Sequence, residues 1–320
     1  MHARPLRGAF EQLVQSLSER LQGDERLSSY ILVDPLLREP WDGELLRESL
    51  CVEYNIGLGG LPVREDQHPR LIKWRPQAVE VMRTSLALAF EEQNDPRAEA
   101  TQGFAIGGWL LTAAAPEELC RHLARAMQLY RPGQGLRYFR WADRRVSEWM
   151  WPALDAAQRQ ALLGPITEWW QLDRCDALTC FSNGDASSNG VGGAPLRLTQ
   201  NQWEWADEGA TVQDLLRGWR GFTDALPGHY LKMAGDAVSA SQALGLRSTA
   251  DIVLMAAYVI QIHPDLCTHR RVRRMVQGAL ADGASISQAL STIPDAQWDE
   301  IRMELEQIDG GLAATQRSIV

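Results

Sequence analysis

Lysine is almost missing from this chain: Lys73 and Lys232 are its only two, so nearly all of the 32 basic residues are arginine. The skew reads mainly as compositional bias, with a lesser lean towards guanidinium groups that grip carboxylates bidentately. Cysteine is scarce too. Cys51, Cys120, Cys175, Cys180 and Cys267 are odd in number, and none pairs at CxxC or zinc-site spacing, so a disulfide scaffold and a cysteine metal site are poor readings and a reduced compartment fits. No stretch approaches the roughly 20 apolar residues a membrane span needs. Met1 to Arg20 mixes charge into an amphipathic pattern, unlike the continuous apolar core of a signal peptide, so the expected location is the cytoplasm, away from any membrane. Cationic excess is lacking as well: 41 acidic residues against 32 basic ones give a net charge of −9, which argues against nucleic acid as the main partner.

The usual marks of catalysis are also sparse. His2, His68, His122, His229, His263 and His269 show neither HExxH nor HxH spacing, so no metal and no cofactor is expected. His122 reads as a core or boundary residue of its helix. Cys120 cannot serve as its nucleophilic partner, because residues two apart on a helix point in different directions. The glycine-rich run from Ser182 to Pro195 carries no GxxxxGK[ST] lysine, and no serine lies in a GxSxG elbow.

What is present is a globular composition, with 45% apolar and 23% charged residues among 320, and an unusual 12 tryptophans. Phe10, Leu13, Val14, Leu17 and Leu21 recur at helical spacing before Gly23. Ser29 to Val33 and Arg70 to Trp74 read as strands, each closed by an X-Pro pair. A helix from about Ala78 to Glu91 carries Val79, Met82, Leu86 and Phe90 on one side, and Phe104 to Leu111 returns to strand character. Pro116 opens a helix whose buried stripe is Leu119, Leu123 and Met127. This alternation predicts an α/β fold: an N-terminal mixed α/β sandwich lobe over residues 1–183, a Gly/Ser-rich linker over 184–197, and an all-helical C-terminal lobe over 198–320. Trp203, Trp205 and Trp219 form an irregular entrance to that lobe. Its helices are expected around Leu231, Ala234 and Val238; around Ile252, Met255, Val259 and Ile262; around Arg270 to Leu280; and around Trp298, Ile301, Leu305 and Ile308. Gly245 reads as a left-handed stop, and Ser248 with Asp251 as a capping box.

The strongest signal is a charged corner. After the apolar strand Leu136 to Phe139, Arg140, Asp143 and Arg145 place one acid between two guanidiniums where the chain leaves a sheet for a helix. Its preferred role is architectural: the carboxylate caps the helix and accepts bidentate hydrogen bonds. Direct partner binding ranks second and catalysis third, because an acid so close to arginines stays ionised.

Phe139, Arg140, Trp141, Asp143, Arg145 and Val146, followed by Gly164, Pro165, Ile166 and Trp169, resemble the core-domain motif of the Tap/TEC effector chaperones of type VI secretion. Ala142 stands where that family favours an aromatic, and Arg144 where it favours proline. The resemblance covers Phe104 to Trp170 best. It implies a bacterial, non-enzymatic adaptor chaperone that binds one toxic effector and loads it onto the VgrG spike, with partner choice involving the helical lobe. Arg140, Asp143, Arg145, Gly164 and Pro165 are then the structural motif.

Two sets of residues are candidates for protein–protein contact. Trp149, Trp151, Trp169 and Trp170 cannot all share one buried face, so at least one is expected to be partly exposed and available to a partner, while core packing is the preferred role for most of them. Arg270, Arg271, Arg273 and Arg274 form a dense cationic run, read first as a solvated face and second as a dock for an acidic surface. The alternative to an adaptor is a hydrolase-like enzyme using Asp143 or another carboxylate with His122 or His229.

Overall fold

A computed structural model describes residues 6–40, 46–47, 49, 51–75, 78–182, 195–223 and 225–317, and the chain divides into two compact units, 1–207 and 208–320. The first unit is the expected α/β lobe. Its elements are α1 (Leu6–Gln22), β1 (Ser28–Val33), β2 (Val52–Asn55), β3 (Arg70–Trp74), α2 (Val79–Asn94), α3 (Pro96–Gln102), β4 (Ile106–Thr112), α4 (Pro116–Ala126), β5 (Gln128–Arg131), β6 (Gly135–Tyr138), α5 (Arg144–Met150), α6 (Ala156–Leu163), β7 (Ile166–Leu172) and β8 (Leu178–Ser182).

Six strands make one sheet in the order β2-β3-β1-β4-β7-β8, and every neighbouring pair is antiparallel. β5 and β6 form a separate hairpin. The central strands β1 and β4 are buried along nearly their whole length, because helices cover both faces of the sheet. On one face Val14, Leu17 and Leu21 of α1 and Val81, Met82 and Leu86 of α2 pack against Ile31, Ile72, Trp109 and Leu172. The indole N–H of Trp109 is satisfied there by Ser85 Oγ at 2.9 Å. α4, α5 and α6 pack against strands of the sheet as well. Leu119, Leu123 and Met127 are fully buried, as their spacing predicts. Val79 departs from its expected stripe and is 40% exposed; the buried face of α2 runs instead through Val81, Met82, Ser85, Leu86 and Ala89.

The second unit is all-helical among its described residues. α7 (Gln200–Trp219) begins in the first unit and ends in the second; α8 (Tyr230–Ala243), α9 (Thr249–Ile262), α10 (Arg270–Asp282), α11 (Ile286–Ser291) and α12 (Asp295–Arg317) follow. Gly245 takes the positive φ of +94° expected of a helix stop. The capping box does not form. Ser248 is the N-cap of α9, but its hydroxyl bonds no helix N–H, and the first turn closes through its backbone carbonyl, which accepts from Ile252 N at 2.9 Å. On α12 the buried stripe contains Trp298, Ile301 and Leu305, whereas Ile308 is 57% exposed. Of the expected linker, residues 184–194 lie outside the described residues.

Candidate functional site: a buried charged corner

The corner is built where β6 runs out. Phe139 N bonds Met127 O at 2.7 Å, Asp143 N bonds Arg140 O at 2.9 Å, and α5 starts at the next residue. The turn lies directly on the sheet: a Cβ added to Gly107 of β4 would stand 2.4 Å from Ala142 O, so glycine is what permits this approach.

Asp143 caps α5 by accepting from Arg145 N at 3.1 Å. The same carboxylate accepts twice from the Arg145 guanidinium, Nε at 3.0 Å and Nη2 at 2.7 Å, and stands 3.6 Å from Arg140 Nη1. Arg140 in turn donates its Nε to Asp34 Oδ2 at 2.9 Å, so the corner is tied to the end of β1. Burial acts to raise the Asp143 carboxyl, but the charges and hydrogen bonds of Arg145, and then of Arg140, outweigh it and hold the group below its ordinary value. At Asp34 burial is the largest influence, and that carboxyl lies above its ordinary value despite Arg140.

Arg144 occupies the first position of α5, where the fixed φ of a proline also fits. Its side chain is 3% exposed and turns into the core, 3.3 Å from Glu92 Oε2, with further bonds to Ile106 O at 3.1 Å and Ala89 O at 2.8 Å. Glu92 also pairs with Arg38 at 2.9 Å and accepts Ala105 N at 2.8 Å. A neighbouring acid, Glu99, pairs with Arg174 at 2.6 Å and lies 3.8 Å from Arg145. The ring of Phe104 has three guanidinium carbons around it, those of Arg144, Arg145 and Arg174 at 4.4, 5.1 and 5.4 Å. Sequence reading missed Asp34, Glu92, Glu99, Phe104 and Arg174, and took Arg144 only as a departure from a motif. The signal available was Glu92, an acid standing on the buried face of α2.

Gly164 and Pro165 carry the chain from α6 into β7. Gly164 adopts φ +50°, and a Cβ there would fall 2.1 Å from His122 Cε1, so the imidazole lies on the glycine. His122 Nε2 bonds Leu162 O at 2.8 Å, and Pro165 O accepts Thr112 Oγ1 at 2.6 Å. Burial lowers the His122 pKa, and it raises the Cys120 thiol to about 11. Neither His122 nor His229 is among the partners of Asp143; His229 stands before α8 in the second unit and makes no side-chain capping bond.

The tryptophan candidates separate into two kinds. Trp149, 2% exposed, stacks on Trp205, and Trp169 is fully buried with its N–H on Gly107 O at 3.0 Å. These two take the core role preferred for most of the four, and partner contact is overturned for them because their rings are enclosed within the first unit. Trp151 and Trp170 are partly exposed, as at least one was expected to be. Trp151 stacks on Phe181 at 4.4 Å. Trp170 donates to Glu168 at 2.6 Å and lines an open groove of about 650 Å³ with Phe10, Leu13, Phe90 and Leu178. In the second unit all four arginines of α10 are exposed. Arg271 stands 3.3 Å from Glu300, while Arg270, Arg273 and Arg274 make no ion pair among the described residues.

Among the described residues no three His, Cys, Asp or Glu side chains gather as metal ligands, and no helix is long and apolar enough to cross a membrane. Residues 29–161, from β1 to within α6, match the family model described as Domain of unknown function (DUF4123). Comparison with curated proteins and with solved structures returned no match.

Proposed function

We propose that this protein is a cytoplasmic, non-enzymatic adaptor chaperone of type VI secretion, which holds a toxic effector and delivers it to the VgrG spike. The observation that carries this reading is the motif of Phe139 to Val146 with Gly164, Pro165, Ile166 and Trp169, which resembles that of effector chaperones; the family model, whose own description gives no function, matches residues 29–161 and so includes only the Phe139 to Val146 part of it. The chemistry of the corner supports it. Asp143 is an ionised acceptor already engaged by two guanidiniums, which suits a scaffold better than a general acid or base poised near neutral pH. The groove beside Trp170 offers aromatic surface with a polar rim, the kind of face that shelters an apolar cargo segment. Cargo must leave before export, so the affinity is set by an interface of ordinary size with modest hot spots.

The test is affinity capture from the native cell, followed by titration of the purified captured toxin against the purified protein. The expected result is a complex that forms without nucleotide or metal, with a spike protein as second partner. Recovery of neither a toxin nor a spike protein overturns the reading.

A further inference from the structure

α10 runs against the electrostatics of its own backbone. A helix N-terminus carries partial positive charge and favours acids. Here the first turn contains no acidic residue, and the cap residue His269 makes no side-chain bond to the helix N–H groups. The helix instead opens with Arg270, Arg271, Arg273 and Arg274. Val272, Val276 and Ala279 are its buried face. Opposite them Arg270 and Arg274 lie one turn apart, with Arg273 on their flank, and all three are exposed and without an ion pair among the described residues. Arg271 alone is compensated, by Glu300 at 3.3 Å and Glu304 at 4.0 Å on α12. Towards the C-terminus the same face continues through Gln277, Gly278 and Ala281, all exposed and uncharged. Like charges at i, i+3 and i+4 repel, and the macrodipole adds to the cost. In a chain with 41 acidic residues, none among the described residues pairs with these three arginines.

We infer that the Arg270, Arg273, Arg274 face of α10 is a docking surface for an acidic protein segment, whose carboxylates supply the counter-charge that none of the described residues provides. Guanidinium forks match carboxylates bidentately, and carboxylates spaced about one helical turn apart on the partner meet Arg270 and Arg274 together. A nucleic acid fits less well, because three free arginines are a small basic footprint on a chain of net charge −9. The inference concerns the chemistry of the partner and does not depend on the adaptor role.

The test uses the full chain and a fluorescein-labelled peptide of repeating Glu-Glu-Ala-Ala units, with labelled single-stranded DNA of equal charge as the comparison. Arg270→Glu/Arg273→Glu/Arg274→Glu is set beside Arg97→Glu/Arg121→Glu/Arg125→Glu, which makes the same change in net charge at exposed sites of the first unit. The wild type is expected to bind the peptide more tightly than the DNA, and to weaken as salt rises from about 50 to about 200 mM. The α10 variant is expected to lose about tenfold in affinity, three exposed charge pairs of roughly half a kcal/mol each, while the control variant keeps most of its binding. Because acids suit a helix start, the α10 variant should melt no lower than the wild type. Equal losses in both variants, a lowered Tm in the α10 variant, or tighter binding of DNA than of peptide overturns the inference.

Discussion

Trp149 and Trp205 lie ring on ring, centroids 4.1 Å apart and planes within 4°, and each indole N–H donates to the backbone carbonyl of the other residue, at 2.8 and 3.2 Å. One residue belongs to α5 and the other to the first turns of α7. Trp203 joins them by packing edge-on against Phe139 at 5.6 Å, and Arg131 pairs with Asp207 at 2.6 Å. The start of α7 is thus part of the α/β unit.

Trp205→Ala should remove the stack and leave the Trp149 carbonyl without the indole N–H that donates to it. Because Trp205 is only partly buried, a loss of about 1–3 kcal/mol in urea unfolding is expected, together with disappearance of the exciton couplet that stacked indoles give in circular dichroism. A stable variant that retains the couplet would show that the stack is not formed in solution.

Arg144→Ala strands a buried carboxylate with Arg38 as its remaining cation, and should cost about 3–5 kcal/mol. Glu92→Gln/Arg144→Met removes both charges at once and should recover most of that loss. Chemical denaturation of the single and double variants measures the difference; additive losses would contradict a direct pairing.

Asp143→Ala removes the cap of α5 and a counter-ion of both Arg140 and Arg145. Thermal stability and cargo binding should fall together, whereas Asp143→Asn, which keeps a capping oxygen, should be intermediate. An enzyme using this carboxylate would instead lose turnover while remaining folded and partner-competent.

Gly164→Ala places a methyl group into the His122 ring at a backbone conformation that favours glycine, so destabilisation of at least about 1–3 kcal/mol is expected. Adding His122→Ala should relieve the clash and leave the backbone strain, giving partial rescue by thermal melting. Full rescue would assign the whole effect to the ring.

His122 is kept neutral in the folded chain by burial, with its pKa below the ordinary 6.5. The unfolded chain therefore binds the extra proton first, so this residue's contribution to stability declines as pH falls below about 6.5. The Tm advantage of the wild type over His122→Gln should shrink between about pH 7.5 and 5. An advantage that grows towards acid would mean a histidine stabilised in its charged form.

The parts of this fold that were legible in sequence carry local signals. β1 and β3 are apolar runs stopped by proline, and the helices around Leu119 and Met255 repeat at their own period. β2 and β8 escaped because they are edge strands, with most residues exposed and no alternation to read. The corner was legible as a capping acid between arginines. Its wider ionic cluster was not, because Asp34, Glu92, Glu99 and Arg174 come from distant segments and meet only through the packing of the sheet. The same holds for the lobe boundary. Composition placed it at 184–197, while the compact unit runs on to Asp207, where side chains of α7 have joined the core.

The chain holds two populations of arginine that answer differently to dissolved ions. Around Phe104 the guanidiniums of Arg144 and Arg174 are shut away with their acids and that of Arg145 is largely so, and ionic strength therefore screens that scaffold only weakly. On α10 the same chemical group faces bulk water, where a modest rise in salt shields it. A change of medium would therefore weaken the docking inferred for α10 without loosening the protein.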